Sequence, residues 1–320
     1  MSHVGAGGQV IEIRSDRWRV GVFPDAGASL AYGKVRTADG EWRDLLRPTR
    51  TAELTKPPEC ASYVLVPFSN RVRGGLLRFG DRSWQLRCSS GDGHAMHGTG
   101  FEYGWDVASV TDDAVTLVLD TGALVGANFP WSFLAEVTYA VAGPRLTIGT
   151  RLTNTAVEPF PAGFGHHPFF QRGIVDPAVS EVCLRVPAEG AYPMRDSIPL
   201  GPPGPLPPRV DYRELRVLDG AYVNECFTRA PGSAPVRMEW PMSGVALAMD
   251  ADPVLAHTLV YAPAGLPLFA VEPVTNANDG FNLMADGMAG HGVFVLEPGE
   301  TRAGDIRLDL EALGAVGVEA

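Results

Sequence analysis

The chain lacks the short signatures of several common chemistries. It has no Gly-x-Ser-x-Gly elbow, which removes the usual serine hydrolase arrangement. It has no Gly-x-x-x-x-Gly-Lys segment, so no phosphate loop is expected. Gly5-Ala6-Gly7-Gly8 precedes the first strand-like run instead of following one, and does not make a dinucleotide turn. Cys60, Cys88, Cys183 and Cys226 form no Cys-x-x-Cys pair, and 320 residues need no disulfide staples. Four reduced, mostly buried thiols are the expectation. Basic residues are also scarce: 26 face 37 acidic ones, for a formal net charge of −11. With no basic patch, no nucleic-acid partner is expected. No apolar run reaches the length of a membrane span, and Met1–Gly8 lacks the charged and apolar regions of a signal peptide. A cytoplasmic protein with no membrane partner follows, as a monomer or homodimer.

Helical periodicity is scarce too, and period two dominates. Phe133, Ala135, Val137, Tyr139 and Val141 alternate with more polar neighbours. After Gly143-Pro144, Leu146, Ile148, Thr150 and Leu152 do the same, which predicts a β-hairpin. Similar runs occur at Arg19–Phe23, Trp84–Leu86, Val115–Leu119, Val182–Val186, Val236–Trp240, Val245–Met249, His257–Tyr261, Leu268–Val271 and Val293–Leu296. The 37 glycines and 27 prolines suit the turns between short strands, and 45% hydrophobic residues supply a core. An all-β fold, sandwich or barrel, is expected, with antiparallel strands and few short helices. One domain over residues 1–320 is expected, because the patterning does not change style along the chain. Pro199–Pro208 cannot be a central strand and reads either as a stiff surface crossover or as an extended ligand for a partner.

Four polar islands interrupt this pattern: Asn70-Arg71, His94-Ala95-Met96-His97-Gly98, Gly165-His166-His167-Pro168-Phe169-Phe170 and Glu272-Pro273-Val274-Thr275. Together they offer a guanidinium, imidazoles and a carboxylate, groups that can hold a polyol and move protons on it. Glu272 ends the apolar run Leu268–Val271, and Pro273 is expected to stop the ladder there. The carboxylate is then either a positioned general base or a solvated strand cap. His167 lies in an apolar setting after Gly163 and Gly165, which leave room for close approach. It is a general acid if a nearby carboxylate keeps it protonated, or a structural histidine. His166 points to the opposite face of a strand. His94 and His97 in a glycine-rich loop are a weak metal signal. His97 reads as a hydrogen-bonding partner for a ligand and His94 as incidental. Arg71 can clamp neighbouring hydroxyls, whereas Arg73 reads as a surface residue.

Taken together, these islands resemble the aldose 1-epimerases, the galactose mutarotase-like proteins. The resemblance rests on Asn70-Arg71-Val72-Arg73-Gly74, His97-Gly98, His167-Pro168-Phe169-Phe170 and Glu272-Pro273, in that order across nearly the whole chain. It implies a large antiparallel β-sandwich, the galactose mutarotase-like supersandwich, with a sugar site on a concave face. It implies Glu272 as general base and His167 as general acid, with Asn70, Arg71 and His97 binding substrate. The family's Asp-x-x-Phe pattern is matched here by Asn224-Glu225-Cys226-Phe227, with Asn224 in the aspartate's place and Asp219 a weaker substitute. The activity implied is interconversion of the α and β anomers of a free aldose, which calls for no metal and no cofactor. Other readings are a carbohydrate-binding or sensing protein, an epimerase of a hexose 6-phosphate using Arg73 or Arg172, and a glycosidase pairing Glu272 with Asp279 or Asp286. Trp105, Trp131 and Phe101 are candidate stacking platforms.

Overall fold

The computed structural model describes residues 8–313, so nearly all of the Met1–Gly8 stretch lies outside the described residues. Two large antiparallel sheets dominate. The first has nine strands, in the order Asp106–Val110, Ala114–Asp120, Phe133–Ala142, Arg145–Asn154, Thr301–Ala312, Val245–Ala251, Val236–Trp240, Cys183–Arg185 and Arg216–Val217. The second has seven strands. Six run in the order Gly190–Ala191, Val223–Thr228, His257–Ala262, Leu268–Val274, Gly165–His166 and Val64–Leu65, and Phe169–Gln171 also pairs with Leu268–Val274. A four-stranded sheet of Ile11–Arg14, Trp18–Phe23, Ser29–Arg36 and Trp42–Asp44 completes the main architecture. Among the described residues the one α-helix is Gly280–Ala285.

The expected hairpin is present. Phe133↔Asn154 through Ala142↔Arg145 pair in one register, and Gly143 takes the left-handed position of its turn at φ +52°. Its alternation faces Phe133, Val137 and Tyr139 inward along with Leu146, Ile148 and Leu152. The other strand-like runs become strands, with ends shifted by a few residues.

The seven-stranded sheet is covered on both faces, and period two sorts its residues. Val260, Phe227, Phe269, Val271, Phe170 and Val64 join the main core between the large sheets. His166 points the same way: its Nε2 lies 2.9 Å from Thr150 Oγ1, and its ring packs against Tyr139. The alternating residues Leu259, Cys226, Ala270, Val274, Phe169, Tyr63 and Leu65 form a second cluster on the opposite face. Asn224, Tyr261, His167 and Glu272 share the parity of that second set, so the pleat delivers them to one side of the sheet.

Pro273 does not end its strand, contrary to the sequence reading. The strand continues to Val274, with Thr258↔Pro273 and His257↔Val274 in register. On the other flank Ala270 pairs with Phe169 and Val274 with Gly165, so Val271–Pro273 have no partner there. A residue without an N–H is tolerated beside that gap. Pro199–Pro208 is a crossover: Ile198–Pro199 pairs with Met194–Arg195, and Gly204 bridges Ala191. Of the cysteines, Cys60 and Cys226 are buried, Cys183 is half-buried and Cys88 is exposed, all as free thiols.

Candidate functional site

Asn70, Arg71, His97, His167, Asn224 and Glu272 line one cavity of about 550 Å³. At its floor, His167 Nε2 lies 3.1 Å from Glu272 Oε1, and both side chains are almost wholly buried. Two glycines make this approach possible. A Cβ on Gly163 would meet Asn276 Oδ1 at 2.1 Å, and one on Gly165 would meet Pro273 O at 2.7 Å. The segment bearing His167, between the strands Gly165–His166 and Phe169–Gln171, therefore lies against the strand bearing Glu272 only because these positions have no side chain. Asn276 ties the second strand to the first island: its Oδ1 accepts from Ser69 N–H at 3.1 Å, and its Nδ2 donates to Ser69 O at 3.1 Å.

Burial sets the charge of these two groups. It raises the Glu272 carboxyl from 4.5 to about 8, against a smaller opposing pull from Arg71. It lowers the His167 imidazole from 6.5 to about 3, with Arg47 and Arg71 adding to the effect. At neutral pH the pair thus carries one proton and no net charge, with the proton on the carboxyl side. The condition set for His167, a nearby carboxylate that keeps it protonated, is therefore not met at rest: in a buried site two neutral groups cost less than two ions. Glu272 Oε2 and His167 Nδ1 are buried without hydrogen-bond partners in the chain, so Oε1 and Nε2 are the polar atoms through which the two groups meet.

His97 is held differently. Its backbone takes φ +61°, its N–H donates to Asn70 O at 2.8 Å, and its Nδ1 accepts from Asn70 N–H at 3.1 Å. An accepting Nδ1 places the ring proton on Nε2. Burial lowers this imidazole well below its usual value, with His167 and Arg71 contributing, so it stays neutral. The Nε2–H of His97 is therefore a donor held in a fixed position in the cavity lining. Asn70, at φ +59°, pairs with it through the backbone. Gly98 cannot carry a side chain, since its Cβ would lie 2.0 Å from Val66 O.

Arg71 forms an ion pair with Asp92 at 2.6 Å across the cavity rim. Asn224 projects from the strand Val223–Thr228 and donates from Nδ2 to Ser197 Oγ at 3.1 Å. Residues that sequence reasoning missed complete the walls. Tyr63 stacks on His167 at 4.9 Å, and Tyr222 meets Tyr261 edge-on at 6.3 Å. Asp92, flanked by Gly91 and Gly93 beside the His94 island, was the one legible signal among them. Nothing local distinguishes Tyr63, Tyr222 or Tyr261 from other strand aromatics.

Other candidates lie elsewhere. His94 Nδ1 accepts from Gly74 N–H at 3.0 Å and braces a turn. Arg73 pairs with Asp279 at 3.2 Å, and Arg78 with Asp286 at 2.9 Å. Arg172 is buried and donates to Leu218 O at 3.0 Å, beside Asp219 in a separate cavity. Trp105 donates to Gly100 O and Trp131 to Glu158, and neither lines the site. Phe101 supports Tyr63 from behind at 5.9 Å. No helix of the described residues is long and apolar enough to cross a membrane.

Comparison with known proteins agrees with this architecture. Residues 9–309 match the family described as aldose 1-epimerase. The uncharacterized protein YphB of Escherichia coli K12 is 28% identical over 287 residues, covering 86% of this chain and 92% of that protein. The aldose epimerase homologue of C. elegans superposes with a TM-score of 0.82 at 18% identity, over 96% of this chain and 100% of the other. A galactose mutarotase-like protein of Clostridium acetobutylicum gives 0.82 at 18% identity, over 97% of each chain. The fold is thus galactose mutarotase-like.

Proposed function

The chain belongs to the aldose 1-epimerase family, and from that premise we propose that it interconverts the α and β anomers of a free, neutral aldose. The observation that carries this reading is the buried Glu272–His167 contact at the floor of a sugar-sized cavity. The pair holds one proton, which can pass from the carboxyl to Nε2 across 3.1 Å. Glu272, now a carboxylate, takes the proton from the anomeric hydroxyl. His167, now an imidazolium, gives its proton to the ring oxygen as the C1–O5 bond breaks. The aldehyde rotates about C1–C2, the ring closes on the other face, and both protons return. The pair ends each half-reaction with the single proton it began with. Each positioned acid or base is worth roughly 10²–10⁴-fold in rate.

Arg71, His97, Asn70 and Asn224 orient the sugar hydroxyls. The near-neutral floor supports a neutral substrate. Arg71 is already paired with Asp92, and Arg73 and Arg172 are engaged away from the cavity, so a 6-phosphate finds no free cation among them. Asp279 and Asp286 do not line the cavity, which leaves the glycosidase reading without the second carboxylate it named. The test is anomer exchange measured by NMR on a panel of free aldoses. Sugar binding with no acceleration of exchange on any of them would overturn the enzymatic assignment in favour of a binding protein.

A further inference from the structure

The sugar cavity does not end at Asn224. Asp196, Ser197, Tyr222 and Asn224 line it and also line a second cavity of about 570 Å³. The divider is the tip of a small hairpin, Met194–Arg195 against Ile198–Pro199. Asp196 and Ser197 hold left-handed φ values of +50° and +63° at that tip. Asn224 fixes it through Ser197 Oγ at 3.1 Å, and Asn278 Nδ2 donates to Ser197 O at 2.8 Å. Two compartments of similar size thus meet over a pinned saddle, with Asn224 reaching both.

The second compartment has the chemistry of a sugar site. Tyr192 is fixed by donation to Gly290 O at 2.8 Å. Leu200 and Pro207, from the proline-rich crossover, give a stiff apolar wall. Tyr222 is 57% exposed and meets Tyr261 edge-on, which leaves much of its aromatic surface uncovered. Arg209 and Glu225 share this lining and form an ion pair, with Glu225 almost fully buried. Flat apolar surfaces facing fixed donors and acceptors match a pyranose, whose C–H faces stack while its hydroxyls hydrogen-bond. The lining carries Asp196 and Glu225 against the single cation Arg209, which disfavours an anion.

We infer that this cavity is a subsite for a second neutral sugar ring, so that the preferred substrate is the reducing-end hexose of a disaccharide. The inference rests on the first cavity being the hexose site proposed above. Ring opening requires a free anomeric hydroxyl, so the second ring is joined through another hydroxyl of the reacting hexose.

Affinities and exchange rates of maltose and isomaltose, against glucose, test this. At least one disaccharide should bind about tenfold more tightly than glucose, with a parallel gain in kcat/KM. Leu200→Trp, which fills only the second cavity, and Arg209→Ala should remove that gain and leave glucose affinity unchanged. Disaccharides that bind no better than glucose, or a gain that survives both substitutions, would overturn the subsite. The binding ratio decides this even if no sugar is epimerised, so failure of the catalytic reading is seen separately.

Discussion

His167 and Glu272 face each other at 3.1 Å in a buried cavity floor, yet neither is held by a hydrogen bond from the chain on its far atom. Buried acid–base pairs held for stability usually have their remaining lone pairs and protons satisfied. Here the polar contact of each group within the chain is the one it makes with the other, so a proton shared between them has a single short path, from Oε1 to Nε2.

Glu272→Gln preserves shape and removes the base. Accelerated anomer exchange should fall by about 10²–10⁴-fold while sugar affinity stays within about threefold. Polarimetry and a direct binding measurement check this, and a wild-type rate in the variant would refute the role assigned to Glu272.

The pH profile of kcat/KM should report the protonation of the pair. Above about 8 Glu272 loses its proton while His167 is already neutral, so no acid remains and the rate falls. Below about 3 the imidazole gains a second proton and the carboxyl can no longer be emptied toward it. A flat profile through pH 9 would contradict the one-proton pair.

Stability should follow the same two groups with opposite signs. Glu272 titrates at 4.5 unfolded and about 8 folded, so its burial is free below pH 4.5 and costs progressively more up to pH 8. His167 titrates at 6.5 unfolded and about 3 folded, so its contribution is lost as pH falls from 6.5 toward 3. Glu272→Gln should therefore raise Tm by several degrees at pH 8 and by much less at pH 5. Equal gains at both pH values would show that the carboxyl is ionised in the fold.

Asp92 positions Arg71 and lies on the cavity rim. Asp92→Ala should raise KM about fivefold to tenfold with kcat changed less than about threefold, because it loosens the clamp on substrate and not the proton-transfer pair. Steady-state kinetics separate the two parameters. A large loss in kcat with unchanged KM would place Asp92 in the chemistry instead.

Gly98→Ala should destabilise the fold by about 3 kcal/mol or more, since a methyl at φ +75° would collide with Val66 O at 2.0 Å. Chemical denaturation measures this. A cost below about 1 kcal/mol would mean the His97 turn is softer than its geometry implies.

Much of this was legible in the chain itself. The alternation on both sides of Gly143-Pro144 specified a hairpin and its register, because a one-residue slip would turn every core side chain outward. The same parity put His166 and His167 on opposite faces. The glycines at 163 and 165 marked a close approach, though not the strand approached. Pro273 misled because a missing N–H matters only where a partner strand offers a carbonyl, and which flank is unpaired is not a local property.

The order of elements and the strand periodicity were determined by sequence alone, since backbone sterics and hydrophobic alternation act over a few residues. Tertiary structure alone decided that Tyr63 stacks on His167, that Asp92 holds Arg71, and that the hairpin tip at Ser197 divides two cavities. It also decided where the proton rests. Desolvation depends on everything packed around a group, and no short stretch of chain records how completely water is excluded from Glu272.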